Sequence, residues 1–158
     1  MRVVVFSDTH GNIAAADKIV SDNISCDHFI FLGDGISEVE ILRSKYPDKS
    51  FFFVAGNCDK CSAPTSMVIE LFNTRILLTH GHLYDANNGT DKLIKLAKKE
   101  KAAYVLFGHT HRRYNKEEHG IYLLNPGSVS LPKDDLPPSC AFMDITPFGI
   151  SCMLIDLT

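Results

Sequence analysis

Apolar residues occur along the chain in short runs, and each run ends at a small residue followed by Asp, Asn or His. Within a run the apolar residues occupy successive positions, and many are β-branched or aromatic. This pattern is typical of strands that are buried on both faces. The runs predicted to be strands are residues 3–6, 29–32, 51–55, 76–78 and 104–107.

Between these runs the apolar residues follow helical spacing. They predict helices over residues 12–21, 36–46 and 90–101, with Asn12 as the N-cap of the first helix and Pro47 ending the second. From about residue 112 the pattern changes to strands joined by tight turns, with a proline-containing loop over residues 131–139. The chain is therefore predicted to be α/β, with its last third rich in strands. The polar residues after the strands should then meet at one edge of a sheet.

Composition places the chain among globular proteins. It has 158 residues, of which 45% are apolar and 22% charged, and this length predicts one domain over residues 1–158. The net charge of −3 argues against a strongly basic surface that binds nucleic acid. No apolar run reaches the roughly 20 residues of a membrane span, and the N-terminus lacks the pattern of a signal peptide. With five scattered cysteines, we expect reduced thiols in a cytoplasmic protein.

The polar residues at the strand ends carry the candidate chemistry. They form five groups: Asp8-Thr9-His10, Gly33-Asp34, Gly56-Asn57, His80-Gly81-His82 and Gly108-His109-Thr110-His111. Residues two apart in an extended segment project to the same side, so an Asp-x-His or His-x-His pair presents two ligands together. Carboxylate, amide and imidazole ligands suit Mn, Fe, Co, Ni or Zn better than Ca or Mg. Five of the seven histidines lie in these groups, which predicts a metal site, whereas His28 and His119 are interpreted as ordinary turn or surface residues.

In this order, the five motifs resemble those of the calcineurin-like metallophosphoesterase superfamily. The forms Gly56-Asn57-Cys58-Asp59 and Asn125-Pro126-Gly127-Ser128 are most similar to its small YfcE-like phosphodiesterase branch, and the resemblance extends from residue 3 to about residue 130. It implies a four-layer α/β/β/α sandwich, in which two mixed β-sheets are flanked by helices and hold a dinuclear metal centre between them.

The resemblance also implies the ligands and the reaction. One metal ion would be bound by Asp8, His10 and His111, and the other by Asn57, His80 and His109, with Asp34 bridging both. The cofactors would be two divalent transition-metal ions, with Mn²⁺ expected before Ni²⁺, Co²⁺, Fe²⁺ or Zn²⁺, and a bridging hydroxide would attack phosphorus. Two such ions carry about +4 and the two carboxylates and the hydroxide −3, which leaves about +1. This charge matches a phosphodiester monoanion better than a monoester dianion. We therefore expect a metal-dependent phosphodiesterase with a small-molecule substrate.

The chain departs from the larger phosphatases of the superfamily at Cys58. Those enzymes carry a histidine directly after the asparagine and use it as the general acid for the leaving oxygen. A thiol with a pKa of about 8.5 is a poorer proton donor than an imidazolium with a pKa of about 6.5, so we expect aryl esters and other good leaving groups to be preferred. His82 and Cys58 are the candidate donors, and His82 is equally consistent with a structural role.

Cys58 and Cys61 form a Cys-x-x-Cys pair, a pattern found in redox and zinc sites. No helix is predicted after the pair, as a redox motif needs, and no second pair completes a zinc site, so two loop thiols are the simpler interpretation.

The alternative functions are a non-catalytic metal-binding scaffold of the same fold, similar to the retromer scaffold subunit, and a phosphomonoesterase. Retention of all seven expected ligands favours the phosphodiesterase over the scaffold. The edge strands of the C-terminal hairpins leave a homo-oligomer open, although no pattern requires one.

Overall fold

The computed structural model describes residues 1–158, which form ten strands and three α-helices. In chain order they are β1 (Arg2–Phe6), α1 (Ile13–Asp22), β2 (His28–Phe31), α2 (Ile36–Lys45), β3 (Ser50–Phe53), β4 (Ser66–Leu71), β5 (Thr74–Thr79), α3 (Asp91–Glu100), β6 (Tyr104–Phe107), β7 (Arg113–Glu118), β8 (Ile121–Pro126), β9 (Ser139–Thr146) and β10 (Gly149–Asp156). Two short 3₁₀ turns, His82–Tyr84 and Ala86–Asn88, lie between β5 and α3. After residue 112 the chain forms four strands and no α-helix, which agrees with the predicted change of pattern.

The strands assemble into two five-stranded sheets. The first sheet has the order β10-β9-β1-β2-β3, and the second has the order β4-β5-β6-β8-β7. Each sheet is mixed, because β1, β2 and β3 run parallel, as do β5, β6 and β8, while the other neighbours are antiparallel. Helices α1 and α2 pack on the outer face of the first sheet, and α3 packs on the outer face of the second. The predicted α/β/β/α sandwich is confirmed.

Strand β1 shows how one element joins three layers. Val3 and Val5 pack into the core between the two sheets, whereas Val4 and Phe6 pack against the helices on the outer face. All four side chains are fully buried, because a central strand of a sandwich has no face on solvent. The successive apolar residues of this run are therefore explained by burial on both faces.

Two strands differ from the sequence-based expectation. The run of Phe51, Phe52 and Phe53 is expected to be buried on both faces, but these side chains are half-buried because β3 forms the edge of the first sheet. Strand β4 is absent from the prediction. It is an edge strand of the second sheet, in which only Ile69 is buried.

The helix boundaries follow the predicted signals within a few residues. The Asn12 side chain accepts a hydrogen bond from the Ala15 N–H at 3.1 Å and caps α1, and Pro47 lies two residues after the end of α2. Each of the three α-helices has ten residues, and no helix has the length and apolar character needed to cross a membrane.

Candidate metal centre

The loops that follow β1, β2, β5 and β6 converge at one end of the sandwich. In the first sheet, the Asp8 N–H donates to the Gly33 carbonyl at 3.0 Å and the His10 N–H donates to the Asp34 carbonyl at 3.0 Å. In the second sheet, the Gly108 N–H after β6 donates to the His80 carbonyl after β5 at 3.1 Å. The fold thus brings together the strand ends that carry the candidate ligands.

Asp8, His10 and His111 form the first part of the centre. Asp8 Oδ1 lies 3.2 Å from His111 Nε2 and 3.7 Å from His10 Nε2, and these two nitrogens are 3.1 Å apart. Asp8 is fully buried, yet its Oδ1 has no hydrogen-bond partner. A buried carboxylate oxygen without a partner is costly unless a cation balances its charge. The three ligand atoms therefore fit a metal ion.

Asp34, His80 and Asn57 form the second part. Asp34 Oδ2 lies 3.4 Å from His80 Nε2 and 3.7 Å from His10 Nε2, so one oxygen atom faces both parts of the centre. The other oxygen, Oδ1, accepts a hydrogen bond from the Cys58 N–H at 2.8 Å. Asn57 Oδ1 is 3.1 Å from His80 Nε2. The role of Asp34 as a bridging ligand stays a prediction.

Two further histidines lie beside these groups. The ring centroid of His109 is 5.1 Å from that of His80, and the backbone N–H of His109 donates to Asp8 Oδ2 at 3.2 Å. The His109 Nε2 contacts the Asn87 side-chain amide at 3.0 Å. The ring of His82 is centred 5.4 Å from that of His80 and 6.1 Å from that of His109. The roles of His109 as a ligand and of His82 as a proton donor stay predictions.

Cys58 lies within the centre rather than at its margin. Its sulfur and one ligand atom each of His10 and Asp34 lie within 4.8 Å of one another. Burial and the Asp34 carboxylate raise the pKa of the Cys58 thiol, so the thiol keeps its proton at neutral pH. Cys61, the second thiol of the pair, is exposed. The role of Cys58 as a proton donor also stays a prediction.

Backbone carbonyls orient two of the imidazoles. The Nδ1–H of His80 donates to the Leu32 carbonyl at 2.7 Å, and the Nδ1–H of His111 donates to the Leu131 carbonyl at 2.7 Å. Because a carbonyl only accepts, each neutral imidazole carries its proton on Nδ1, and the lone pair of Nε2 points towards the carboxylates. This is the tautomer that lets Nε2 bind a metal ion.

Five of the expected ligands have a strained backbone. A positive φ is uncommon for residues other than glycine and costs about 1–3 kcal/mol at each position. The five ligands, with φ between 45° and 68°, are Asp8, His10, Asp34, His109 and His111. Strain of this kind persists only where the surrounding structure holds it. The fold therefore fixes these side chains against the local preference of the chain.

The carboxylates and imidazoles of the centre shift one another's pKa values. Burial alone would raise the pKa of Asp8, but the adjacent imidazoles of His10 and His111 outweigh it and hold that pKa well below its usual range. At Asp34 burial is likewise outweighed, chiefly by His80, and the pKa falls to about 2. Asp8 raises the pKa of His10, and Asp34 and Asp8 together outweigh burial to raise the pKa of His80. In the metal-free protein, the two carboxylates thus favour the protonated forms of these imidazoles.

Two residues that support the ligands have no role assigned from the sequence. The buried Asn125 side chain donates to the Gly108 carbonyl at 2.9 Å and so holds the loop that carries His109. The Ser128 hydroxyl donates to the Asp8 carbonyl at 2.9 Å. The Asn-Pro-Gly-Ser sequence is the visible signal, but only the fold shows that it supports ligands from both sheets.

Comparisons with known proteins agree with this geometry. The family model of the calcineurin-like phosphoesterase superfamily domain matches residues 1–147. The phosphodiesterase YfcE of Escherichia coli K12 is 28% identical in an alignment that covers 91% of this chain and 88% of that protein.

Solved structures show the same fold. A protein from Streptococcus pneumoniae, described as a predicted phosphoesterase, has a TM-score of 0.78 and 28% identity, and the match covers 98% of this chain and 97% of that one. Vps29 of Entamoeba histolytica, solved with Zn²⁺, has a TM-score of 0.74 over 99% of both chains, but at 23% identity this likeness shows the fold alone. The family implies divalent metal ions, and the oxygen and nitrogen donors assembled here fit them. The family match over residues 1–147, joined to this geometry, shows that the chain belongs to the calcineurin-like phosphoesterase superfamily.

Proposed function

We propose that this protein is a metal-dependent phosphodiesterase that acts on a small-molecule substrate. The observation that carries the proposal is Asp8 Oδ1, a buried oxygen without a hydrogen-bond partner that faces two imidazole nitrogens. Two divalent ions held by the seven family ligands would supply a nucleophile from water at neutral pH and neutralise charge on phosphoryl oxygens. We infer Mn²⁺ as the first choice for this donor set, with Ni²⁺, Co²⁺, Fe²⁺ and Zn²⁺ as alternatives.

The side chains of the centre are held in a binding arrangement before any substrate arrives. Asp34 offers only Oδ2, because its Oδ1 is occupied by the Cys58 N–H. His80 and His111 offer Nε2, because their Nδ1 protons are held by carbonyls. His82 lies next to these ligands, and its imidazole is the proposed hydrogen-bond donor to the leaving oxygen. Preorganised groups of this kind pay little reorganisation energy during the reaction.

The charge of the centre favours a diester over a monoester. With two ions, two carboxylates and a hydroxide the centre would carry about +1, which one negative charge on a phosphodiester would balance. The name of the similar Escherichia coli protein, a phosphodiesterase, supports the same reading. The net charge of −3 supports a small substrate rather than nucleic acid.

A non-catalytic scaffold is the second candidate. It is supported by the likeness in fold to Vps29 and by Cys58 at the position of the usual acid histidine. The retention of all seven expected ligands argues against it, since a scaffold has no need of a complete metal centre.

The deciding experiment is hydrolysis of bis-p-nitrophenyl phosphate by protein stripped with a chelator, before and after addition of Mn²⁺. We expect activity to return with Mn²⁺ and to exceed activity on the monoester p-nitrophenyl phosphate. An Asp8→Asn variant, purified in the same way, controls for a contaminating phosphatase. Absence of turnover with Mn²⁺, Ni²⁺, Co²⁺ and Zn²⁺ would favour the scaffold, and a preference for the monoester would favour a phosphomonoesterase.

A further inference from the structure

The Asp59 carboxylate accepts four backbone hydrogen bonds beside the metal centre, although it is not one of the expected ligands. Its Oδ2 accepts from the N–H groups of Asp34 at 2.7 Å and Gly56 at 2.8 Å. Its Oδ1 accepts from the N–H groups of Gly35 and Ile36, each at 2.9 Å. Hydrogen bonds to an ionised acceptor at these distances belong to the strong class. One side chain thus ties the loop after β3 to the loop after β2.

Asp59 also replaces the missing cap of α2. This helix begins at Ile36, and its N-cap is Gly35, which has no side chain that could accept the free N–H groups. Asp59 accepts two of these groups from outside the helix and places a negative charge at the positive end of the helix dipole. The start of α2, and therefore Asp34 two residues before it, depends on a carboxylate that lies 23 residues beyond Ile36.

The residue held in this way is Asp34. Its φ of 60° lies in the left-handed region, so its position needs tertiary support. Asp59 holds its N–H, and the neighbouring Cys58 N–H holds its Oδ1 at 2.8 Å. Gly56 packs so closely that an added Cβ would overlap Asp34 Oδ1. The loop after β3 therefore contacts both the backbone and the side chain of Asp34 and fixes their positions.

We propose that Asp59 is a positioning residue of the metal centre. It fixes Asp34 so that Oδ2 faces both His10 and His80, which lie 3.7 Å and 3.4 Å away. This inference rests on the proposed dinuclear centre. Because Asp34 faces both metal positions, loss of Asp59 weakens the binding of both ions together, whereas loss of His111 affects chiefly one.

The test compares Mn²⁺ binding to two carboxylate-to-amide variants by isothermal titration calorimetry on metal-free protein. In Asp59→Asn a nitrogen replaces one oxygen, so two of the four N–H groups face another donor. Asp17→Asn is the matched control, because Asp17 contacts the far end of α2 by accepting from Lys45 at 2.7 Å and from the Tyr46 hydroxyl at 3.0 Å. We expect both Mn²⁺ equivalents to bind roughly 10–100-fold more weakly in Asp59→Asn and unchanged in the control. Unchanged affinity in a folded Asp59→Asn protein overturns the proposal.

Hydrogen exchange on the wild-type protein tests the same proposal if Asp59→Asn does not fold. In metal-free protein, slow exchange is expected at the four amides bonded to Asp59, which are those of Asp34, Gly35, Ile36 and Gly56. The Asn57 and Lys60 amides in the same loop have no partner within the chain and should exchange quickly. Equal, fast exchange at all six positions overturns the role of Asp59. A wild-type protein that binds no Mn²⁺ but protects the four amides would instead contradict the proposed metal centre.

Discussion

Backbone conformation at single residues distinguishes the candidate ligands from ordinary turn residues. Asp34 and His10 follow their strands in left-handed conformations, with φ of 60° and 45°. The sequence predicts these ligand types and their order, because each one follows an apolar run. It does not predict their conformations, because tertiary hydrogen bonds, such as the one between the Asp34 N–H and Asp59, select them over the local preference.

At this scale we predict that Asp34→Asn abolishes metal binding while preserving the fold. Asparagine tolerates a positive φ, and its side-chain oxygen can still accept from the Cys58 N–H. Its amide nitrogen would then take the position of Oδ2 and cannot bind a metal. We expect loss of both metal ions and a fall in turnover of more than about 100-fold, since even the partners of ligands contribute roughly 10–100-fold. Metal content and hydrolysis of the nitrophenyl diester measure this, and retained activity would remove the bridging assignment.

A second prediction at this scale concerns His82. If its imidazole assists the leaving group, His82→Ala slows esters with poor leaving groups far more than nitrophenyl esters, because a good leaving group needs little help from a proton donor. Values of kcat/KM for alkyl and nitrophenyl diesters, each relative to wild type, measure the difference. Cys58→Ser is the companion variant, because Cys58 is the other candidate donor. Equal losses on both substrates would leave His82 with a structural role.

At the scale of elements, the two strands that differ from the prediction, β3 and β4, are both edge strands. The run of Phe51, Phe52 and Phe53 resembles that of β1, yet β3 lies at a sheet edge and is half-buried. The Phe51 ring stacks on Phe29 of β2 at 5.2 Å. Phe51 and Phe53 pack against the helical layer, whereas Phe52 packs against the core between the sheets, and these contacts explain why an edge strand is apolar. Sequence patterns report how apolar a strand is, but the place of a strand within a sheet depends on pairings between distant segments.

The loops between elements are packed as closely as the strands, and a substitution at Gly56 tests this. Because an added Cβ would overlap Asp34 Oδ1, Gly56→Ala should displace that carboxylate. We expect Mn²⁺ affinity to fall by at least about 10-fold. Gly120→Asn is the control, since Gly120 has open space around it and asparagine tolerates its φ of +79°. Calorimetric titration of both variants measures the effect, and an affinity equal to that of wild type in Gly56→Ala would show that the loop yields without cost.

At the scale of the whole molecule, the two sheets divide the ligands between them. Asp8, Asp34 and Asn57 follow strands of the first sheet, whereas His80 and His109 follow strands of the second. The residues alone predict convergence at the edge of a sheet, and the second sheet enters only through the resemblance to a family. The order β4-β5-β6-β8-β7 includes a crossover that no local pattern specifies. Bound metal ions would therefore join the two halves of the sandwich.

The layers of the sandwich also predict the reactivity of the thiols. Cys58 and Cys61 are exposed, whereas Cys26 and Cys140 are buried, and burial raises the pKa of Cys140 and Cys152 to about 12. Since the thiolate is the nucleophile, we expect alkylation of the native protein at neutral pH to modify the two exposed thiols first and all five only after denaturation. Peptide mapping by mass spectrometry measures the order. Modification of Cys140 as fast as Cys61 would contradict this packing.

The last prediction follows from ligands that come from both sheets. A metal ion that binds the folded chain but not the unfolded chain stabilises it by about 2.7 kcal/mol at a concentration 100 times its Kd. For a chain of this length that corresponds to a rise of about 5–11 °C in Tm for each site. Thermal unfolding of chelator-treated protein with and without Mn²⁺ measures the shift, and Asp34→Asn should show none, because its amide cannot hold the ions between the sheets. A shift of the same size in that variant would place the stabilising ion elsewhere. No shift in the wild type would mean that the neighbouring imidazoles alone balance the negative charge of the buried Asp8 carboxylate.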